Sequence, residues 1–114
     1  MATLSPISIA KVGTRTVLAP KESLTYLNCD ELEATFEECT SQERTDIILD
    51  CKAVAYMDSE ALQLLVRMHE ELRNRGNLFK IIGLNDVCLD IFVATRLIHL
   101  HVYEDIHEAI RSER

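Results

Sequence analysis

Two apolar segments, with an amphipathic stretch between them, constrain the fold more than any other feature of this chain. Residues 46–51 form a nearly continuous apolar run, which is typical of a strand buried on both faces in the middle of a parallel sheet. Residues 78–83 predict the next strand. Between them, one apolar stripe recurs at helical spacing and comprises Ala61, Leu62, Leu65, Met68 and Leu72. This order predicts parallel strands joined by a right-handed crossover.

The ends of the intervening helix are marked by its sequence. Asp58 and Ser59 precede the apolar stripe, and both residue types are favoured at a helix N-cap. Glu71 and Arg75 are spaced as an i,i+4 ion pair in the favourable order. Gly76 is well placed just past the C-terminus. We therefore predict a helix that begins at or beside Ser59 and ends before Gly76.

A β-hairpin is predicted near the N-terminus. The apolar side chains of residues 7–10 alternate, and residues 14–18 are rich in β-formers. Because Gly13 lies between the two runs, they predict a pair of antiparallel strands.

Two further helices are predicted from capping pairs. Asn28 with Glu31 forms a capping-box pattern at the start of a helix over about residues 28–40. Asp105 with Glu108 repeats this signal for the last helix. The inward-facing residues predicted for these helices are Leu32, Phe36 and Cys39 in the first, and Ile106, Ala109 and Ile110 in the last.

The remaining elements complete an alternating pattern. Asn85 or Asp86 can cap a helix that continues to about residue 95. Its inner face is predicted to comprise Val87, Ile91 and Ala94, and residues 99–103 are a short strand candidate. The fold class is therefore α/β, with a mixed sheet of about 4–5 strands, an N-terminal β-hairpin and about four helices mainly on one side. We expect one domain over residues 1–114.

Charge and composition exclude several classes of partner. The chain of 114 residues has a net charge of -7 and no basic stripe, so nucleic acid is not an expected partner. An anionic membrane surface should repel it, and its apolar runs are too short to insert into a bilayer. The N-terminus lacks the pattern of a signal peptide. The expected location is the cytoplasm.

The four cysteines are irregularly spaced. Cys29, Cys39, Cys51 and Cys88 include no Cys-x-x-Cys pair, which argues against a zinc site. Cys29 and Cys39 are too far apart on one predicted helix to form a disulfide. We expect free thiols, some of them buried.

The pair Asp58-Ser59 is the most informative position for function. It follows a buried strand, where sites in open α/β sheets tend to lie. A helix N-terminus offers free backbone N–H groups and tolerates a phosphate. On position alone, however, a simple capping role is the more common explanation for these residue types.

The wider sequence resembles the core motif of the STAS domain, the family of anti-sigma factor antagonists. The segment that carries the resemblance is Ile-Ile-Leu-Asp-Cys-Lys-Ala-Val-Ala-Tyr-Met-Asp-Ser-Glu-Ala-Leu, residues 47–62. It continues through Arg-Gly-Asn-Leu-Phe-Lys-Ile-Ile-Gly-Leu at 75–84, Thr-Arg-Leu at 95–97 and Asp-Ile-His-Glu-Ala-Ile at 105–110. The resemblance therefore covers residues from about 46 to 110.

The resemblance implies a regulatory protein–protein interaction module, not an enzyme. Such a protein binds an anti-sigma factor that is also a serine kinase, and so controls transcription. Phosphorylation by the kinase ends the complex, and a phosphatase reverses the modification. Ser59 is then the phosphoacceptor candidate. The partner-docking candidates are Met57, Asp58, Glu60 and Gln63.

Three observations leave a second interpretation open. Ala61 stands where the family motif has glycine, and residues 18–23 lack the Gly-Glu-Leu-Asp-like segment expected before the first helix. Some STAS domains also serve as constitutive subunits, for example in ABC lipid-transport complexes, without phosphorylation. Neither interpretation requires a cofactor, and a homodimer is compatible with both.

Two other chemistries are less favoured. A hydrolase using Ser59 needs a base within reach, but His69 lies ten residues along the same helix, about 15 Å away. His99, His101 and His107 could suggest a metal, although surface histidines near an edge strand are the more common situation. The chain also lacks a glycine-rich phosphate loop.

Overall fold

The computed structural model describes residues 7–97 and 99–112. The expectation of one domain over 1–114 includes residues outside these ranges. Within them the elements are β1 (Ile7–Val12), β2 (Arg15–Pro20), α1 (Cys29–Gln42), β3 (Asp46–Asp50), α2 (Ser59–Asn74), β4 (Phe79–Ile82), α3 (Asp86–Ala94), β5 (Val102–Tyr103) and α4 (Ile106–Arg111).

The strands form one mixed sheet in the order β1-β2-β3-β4-β5. The predicted hairpin of β1 and β2 is confirmed, with Gly13 at φ 65° in its turn. β3 lies in the centre, parallel to both β2 and β4. Ile47, Ile48 and Leu49 are buried on its two faces, as the continuous apolar run predicted.

Three of the four helices cover one face of the sheet. Leu32 and Phe36 of α1 and Phe92 of α3 share the main core with Leu49 and Ile81. The α2 stripe predicted from the sequence is buried in that core: Ala61, Leu62, Leu65, Met68 and Leu72. On the opposite face, α4 packs through Ala109 against Ile48 and Ile82. The predicted arrangement of helices mainly on one side is confirmed.

Asn28 stands at the start of α1 but does not cap it as predicted. Its Oδ1 accepts a hydrogen bond from the N–H of Thr25 at 2.9 Å, and its Nδ2 donates to the carbonyl of Ser23 at 2.7 Å. The side chain therefore stabilises the loop before the helix. Both groups point away from the helix N–H donors, so the predicted capping box with Glu31 is wrong.

The inner face predicted for α3 is also wrong in part. Asn85 caps the helix through its Oδ1 and the N–H of Cys88 at 2.8 Å. Cys88 and Phe92 are fully buried, however, whereas Val87 is 54% exposed and Ala94 is exposed. α3 is apolar around most of its circumference, so periodicity could not select the buried face. The large aromatic ring of Phe92 occupies the core.

The last strand is shorter than predicted, because His99, Leu100 and His101 lie in a turn. His101 has φ 58°, a left-handed conformation that keeps it out of the extended strand, which begins at Val102. The Asp105–Glu108 capping pair is confirmed. Asp105 Oδ1 accepts from the Glu108 N–H at 2.9 Å, and the Glu108 carboxylate accepts from the N–H of Glu104 at 3.1 Å.

Candidate functional site

Asp58 joins two distant segments at the start of α2. Its Oδ1 accepts a hydrogen bond from the N–H of Ala61 at 2.9 Å and so caps the helix. Its Oδ2 accepts from the N–H of Tyr26 at 2.8 Å. The predicted cap is therefore present, and the same carboxylate also fixes the loop that precedes α1.

Backbone pairing strengthens this junction. Leu24 and Met57 form an isolated parallel bridge. The N–H of Leu24 donates to the carbonyl of Tyr56 at 3.0 Å, and the N–H of Asp58 donates to the carbonyl of Leu24 at 3.2 Å. These bonds hold the two loops side by side at the same end of the sheet.

The structure brings most of the predicted site residues together on the surface. Ser59 is the first residue of α2 and is exposed, as is Glu60. Gln63 is exposed one turn later, four residues from Ser59 and therefore on the same side of the helix. Asp58, Ser59, Glu60 and Gln63 thus form one continuous polar surface.

Met57 does not belong to that surface. Its side chain is 1% exposed and packs in the main core, opposite Leu24 in the parallel bridge. The prediction of Met57 as a docking contact therefore conflicts with its placement. Met57 instead supports the site from the core, because its burial fixes the backbone that leads into Asp58.

Sequence reasoning missed three exposed apolar residues next to Asp58. Tyr26 is 68% exposed, Leu27 is 77% exposed and Tyr56 is 49% exposed. The local sequence predicts the opposite for Leu27, because it precedes the N-cap position, where an apolar residue often packs back onto the helix at Leu32. Its exposure shows that this packing is absent.

A third segment reaches the site from α3. Asn85 Nδ2 donates to the carbonyl of Ala55 at 3.2 Å, and the thiol of Cys88 lies 3.8 Å from the carbonyl of Val54. These contacts fix the loop that presents Tyr56. We give the name docking surface to the candidate site formed by Tyr26, Leu27, Tyr56, Asp58, Ser59, Glu60 and Gln63.

The thiol of Cys29, at the start of α1, lies near acidic side chains of this surface. Burial raises the pKa of the Cys29 thiol, and the carboxylates of Asp58 and Glu60 raise it further, against the opposing charge of Arg67. A thiol with a raised pKa is a poor nucleophile. Cys29 is therefore not a candidate nucleophile of this site.

The histidines lie apart from Ser59. The His69 ring packs against His99 and His101 on the turn between α3 and β5. The start of the same helix, where Ser59 lies, is about 15 Å from His69. His107 lies on α4. Among the described residues, no three His, Cys, Asp or Glu side chains are placed to share a metal ion.

The small residue at position 61 is compatible with the site. Ala61 is 1% exposed, and its N–H is the group that Asp58 caps. Its methyl group is accommodated in the main core, so the replacement of the motif glycine leaves the start of α2 intact.

The family model of the STAS domain matches residues 7–109. This chain belongs to the STAS domain family. The match includes all five strands and the whole of α1, α2 and α3. No curated protein sequence matches the chain closely enough to count as a relative.

Solved structures share this STAS fold at low sequence identity. A protein from Thermotoga maritima described as a candidate anti-sigma factor antagonist is 19% identical, with a TM-score of 0.85 and 92% of each chain covered. The phosphorylated form of the Bacillus cell fate determinant SpoIIAA is 17% identical, with a TM-score of 0.73 over 95% of this chain and 99% of that one. A sulfate transporter family protein from Wolinella succinogenes is 17% identical, with a TM-score of 0.74 over 91% and 87%.

No helix in the part of the chain that the structure describes is long and apolar enough to cross a bilayer. The four cysteines, all of them in that part, are free thiols as expected, with Cys51 and Cys88 buried.

Proposed function

We propose that this STAS domain is a cytoplasmic, non-enzymatic docking module, and that phosphorylation of Ser59 controls its binding to a protein partner. The partner is an anti-sigma factor with serine kinase activity, and a phosphatase resets the module. The observation that carries the proposal is the placement of Ser59. It is exposed in the first turn of a long helix, directly after Asp58, which caps that helix and binds the loop that carries Tyr26.

The composition of the docking surface suits a protein partner. Tyr26, Leu27 and Tyr56 are exposed, and apolar and aromatic side chains supply the central contacts of most protein interfaces. Asp58 and Glu60 add carboxylate oxygens beside them, which can accept hydrogen bonds from the partner.

Phosphorylation of Ser59 would change this surface in one direction. A phosphate adds about -1.5 to -2 charges, and it would lie between the carboxylates of Asp58 and Glu60 in the sequence. The N-terminus of α2 tolerates that charge within the domain. A partner that buries Ser59 would have to remove the phosphate from water beside two like charges, so the complex should dissociate.

The test has two parts. Intact-mass analysis and phosphopeptide mapping of the protein from its native cells should locate a phosphate on Ser59. Binding of the co-purified partner is then compared for wild type, Ser59→Asp, Ser59→Ala and the control Ser41→Asp, which adds the same charge at an exposed position on α1. Ser59→Asp should weaken binding at least about tenfold, equivalent to about 1.4 kcal/mol.

Equal affinities for Ser59→Asp and Ser41→Asp would contradict phosphorylation control. If Ser59 carries no phosphate in native cells and Ser59→Asp still binds the partner, the results would instead favour a constitutive subunit that phosphorylation does not control. The structural likeness to a transporter-family domain gives that second function its support.

A further inference from the structure

The strand β1 forms one edge of the sheet, and its outer side is not paired within the domain. It stands at the end of the order β1-β2-β3-β4-β5, so within residues 7–97 and 99–112 the one strand that pairs with it is β2. Its register with β2 continues through all its residues without a bulge. The opposite edge, β5, consists of Val102 and Tyr103. A long, regular edge strand is a template for pairing with another chain, whereas a very short one is protected from it.

The hairpin turn identifies which backbone groups of β1 point outward. Two residues join the strands, and the first of them, Gly13, has φ 65°, which is typical of the two-residue turns of β-hairpins. In such a hairpin Val12, directly before the turn, exchanges hydrogen bonds with β2, and bonded and non-bonded pairs then alternate along the strands. Ala10 therefore bonds to β2 as well. Ile9 and Lys11 direct their backbone N–H and C=O groups away from the sheet.

The side chains of β1 leave this edge accessible. Ser8, Ile9 and Ala10 are exposed, and Ile9 is 51% exposed. Charged side chains on an edge strand oppose pairing, but Lys11 is the one charged residue of β1. It forms an ion pair with Glu43, at the C-cap of α1 in the same chain. The edge is thus partly apolar, and its charge is compensated.

A groove between β1 and α1 lies beside Ile9 and has an excess of negative charge. Its volume is about 270 Å³, and the charged residues that line it are Lys11, Glu38 and Glu43. Burial raises the pKa of the Cys39 thiol in the same groove, Glu38 raises it further and Lys11 lowers it. Two carboxylates therefore share one ammonium group, which favours a second cation in the groove.

We propose that β1 is a homodimer interface, in which two copies of this chain pair antiparallel about a two-fold axis that passes between their Ala10 residues. The two five-stranded sheets become one continuous sheet. Ile9 of each copy lies opposite Lys11 of the other. Because both residues direct their backbone groups outward, each of these pairs exchanges two hydrogen bonds. The side chain of Lys11 then packs along Ile9 of the other copy, beside the groove that contains Glu38.

The position of the axis follows from charge and strand geometry. A two-fold axis keeps each side chain on its own face of the sheet, so an axis at Ala10 or at Ile9 is possible. An axis at Ile9 would place Ile9 opposite itself and move Lys11 away from the groove of the other copy. The interface shares no residue with the docking surface and does not rest on the proposed function. A dimer carries two docking surfaces.

Disulfide trapping tests the position of the axis. Ala10→Cys is made in a background where the two partly exposed thiols, Cys29 and Cys39, are replaced by serine. The two Cα atoms at position 10 would lie about 4.5 Å apart, which suits a disulfide. Ser8→Cys is the matched control, because it is exposed on the same strand face but its two copies would be about 13 Å apart. Oxidation should link Ala10→Cys into a covalent dimer at least about tenfold faster than Ser8→Cys.

Sedimentation equilibrium of the untagged chain under reducing conditions measures the dimer directly. The wild type should associate reversibly between about 10 μM and 1 mM. Ile9→Pro should raise the dissociation constant at least about tenfold, because proline removes an outward N–H and no bond to β2. Ile9→Lys places a like charge opposite Lys11 and should have an effect of about the same size, whereas Ile9→Glu should change the constant by less than about threefold. Val93→Lys, at a side chain 59% exposed on α3, should leave it unchanged.

Circular dichroism and urea denaturation establish that each variant is folded, and Ile9→Lys decides the test if Ile9→Pro does not fold. A chain that stays monomeric up to about 1 mM would overturn the proposal. So would a dimer that Ile9→Lys leaves as stable as the wild type, since its interface would lie elsewhere. Equal trapping of Ala10→Cys and Ser8→Cys, or equal weakening by Ile9→Lys and Ile9→Glu, would rule out the axis at Ala10.

Discussion

The carboxylate of Asp58 accepts a hydrogen bond at 2.8 Å from the backbone N–H of Tyr26, 32 residues earlier in the chain. Its other oxygen caps α2 through Ala61. One side chain thus sets both the start of the helix that carries Ser59 and the position of the loop that carries Tyr26. The polar and the apolar halves of the docking surface are therefore already arranged in the free domain, which would reduce the ordering cost of the proposed association.

Asp58→Ala should remove both roles at once. The loss of an N-cap lowers the free energy of unfolding by about 1 kcal/mol, and it also releases the amide of Tyr26. Asp105→Ala is the matched control, because Asp105 caps α4 through Glu108. Denaturation in urea should show the loss of a cap in both variants. Hydrogen exchange at Tyr26 should accelerate only in Asp58→Ala, and unchanged exchange there would contradict the bridging role.

The exposed apolar residues provide a second prediction. Tyr26→Ala combined with Leu27→Ala removes side chains that are 68% and 77% exposed, so the free energy of unfolding should change by no more than about 0.5 kcal/mol. Partner affinity should nevertheless fall at least about tenfold. Isothermal titration with the co-purified partner measures the effect.

Val93→Ala serves as the control for that experiment. Val93 is 59% exposed on α3 and is not part of the docking surface. Its replacement should leave the partner affinity within about twofold. If Val93→Ala weakens binding as much as the double variant does, the docking surface has been assigned to the wrong side.

The sequence predicted the fold well where an apolar pattern allowed only one arrangement. The apolar run of β3 and the stripe of α2 each had one arrangement that buries them, and the structure has that arrangement. The prediction failed where more than one face of a helix could be buried equally well. α3 is apolar nearly all round, so its inner face depended on how Phe92 fits the core, which no local pattern records.

The site was predicted less completely than the fold. Asp58 and Ser59 were found from capping chemistry and the STAS resemblance, and both lie where expected. Tyr26 was missed because its neighbour Asp58 is remote in sequence. Outside the site, the burial of Lys80 was missed because its contacts are also remote in sequence. Its Nζ donates to the carbonyl of Ala109 at 2.6 Å and lies 5.5 Å from the ring centroid of Tyr103.

The two faces of α3 can be compared directly by mutation. Phe92→Ala removes a fully buried ring and should lower the free energy of unfolding by about 3–5 kcal/mol. Val87→Ala truncates a side chain that is 54% exposed and should change it by no more than about 0.5 kcal/mol. Urea denaturation of the two variants measures both values. A larger loss for Val87→Ala than for Phe92→Ala would show that the buried face of α3 is the one predicted from the sequence.

Cys51 should make the stability of the domain depend on alkaline pH. Burial raises the pKa of its thiol far above the ordinary value, and Cys88 and Asp50 raise it further. In the unfolded chain the thiol ionises near its usual pKa of about 8.5. The contribution of Cys51 is therefore fully present below that pH and decreases as the pH rises, because only the unfolded state loses the proton.

The expected slope for this group is about 1.4 kcal/mol per pH unit above the unfolded pKa. Urea denaturation under reducing conditions at pH 8, 9 and 10 should therefore show the difference between wild type and Cys51→Ala narrowing as the pH rises. Comparison with the variant is needed because lysines and tyrosines titrate in the same range. Cys39→Ala, at a partly exposed thiol, should show less narrowing. Parallel pH curves for wild type and Cys51→Ala would contradict this prediction, because they would show that the Cys51 thiol ionises at the same pH in the folded and unfolded states.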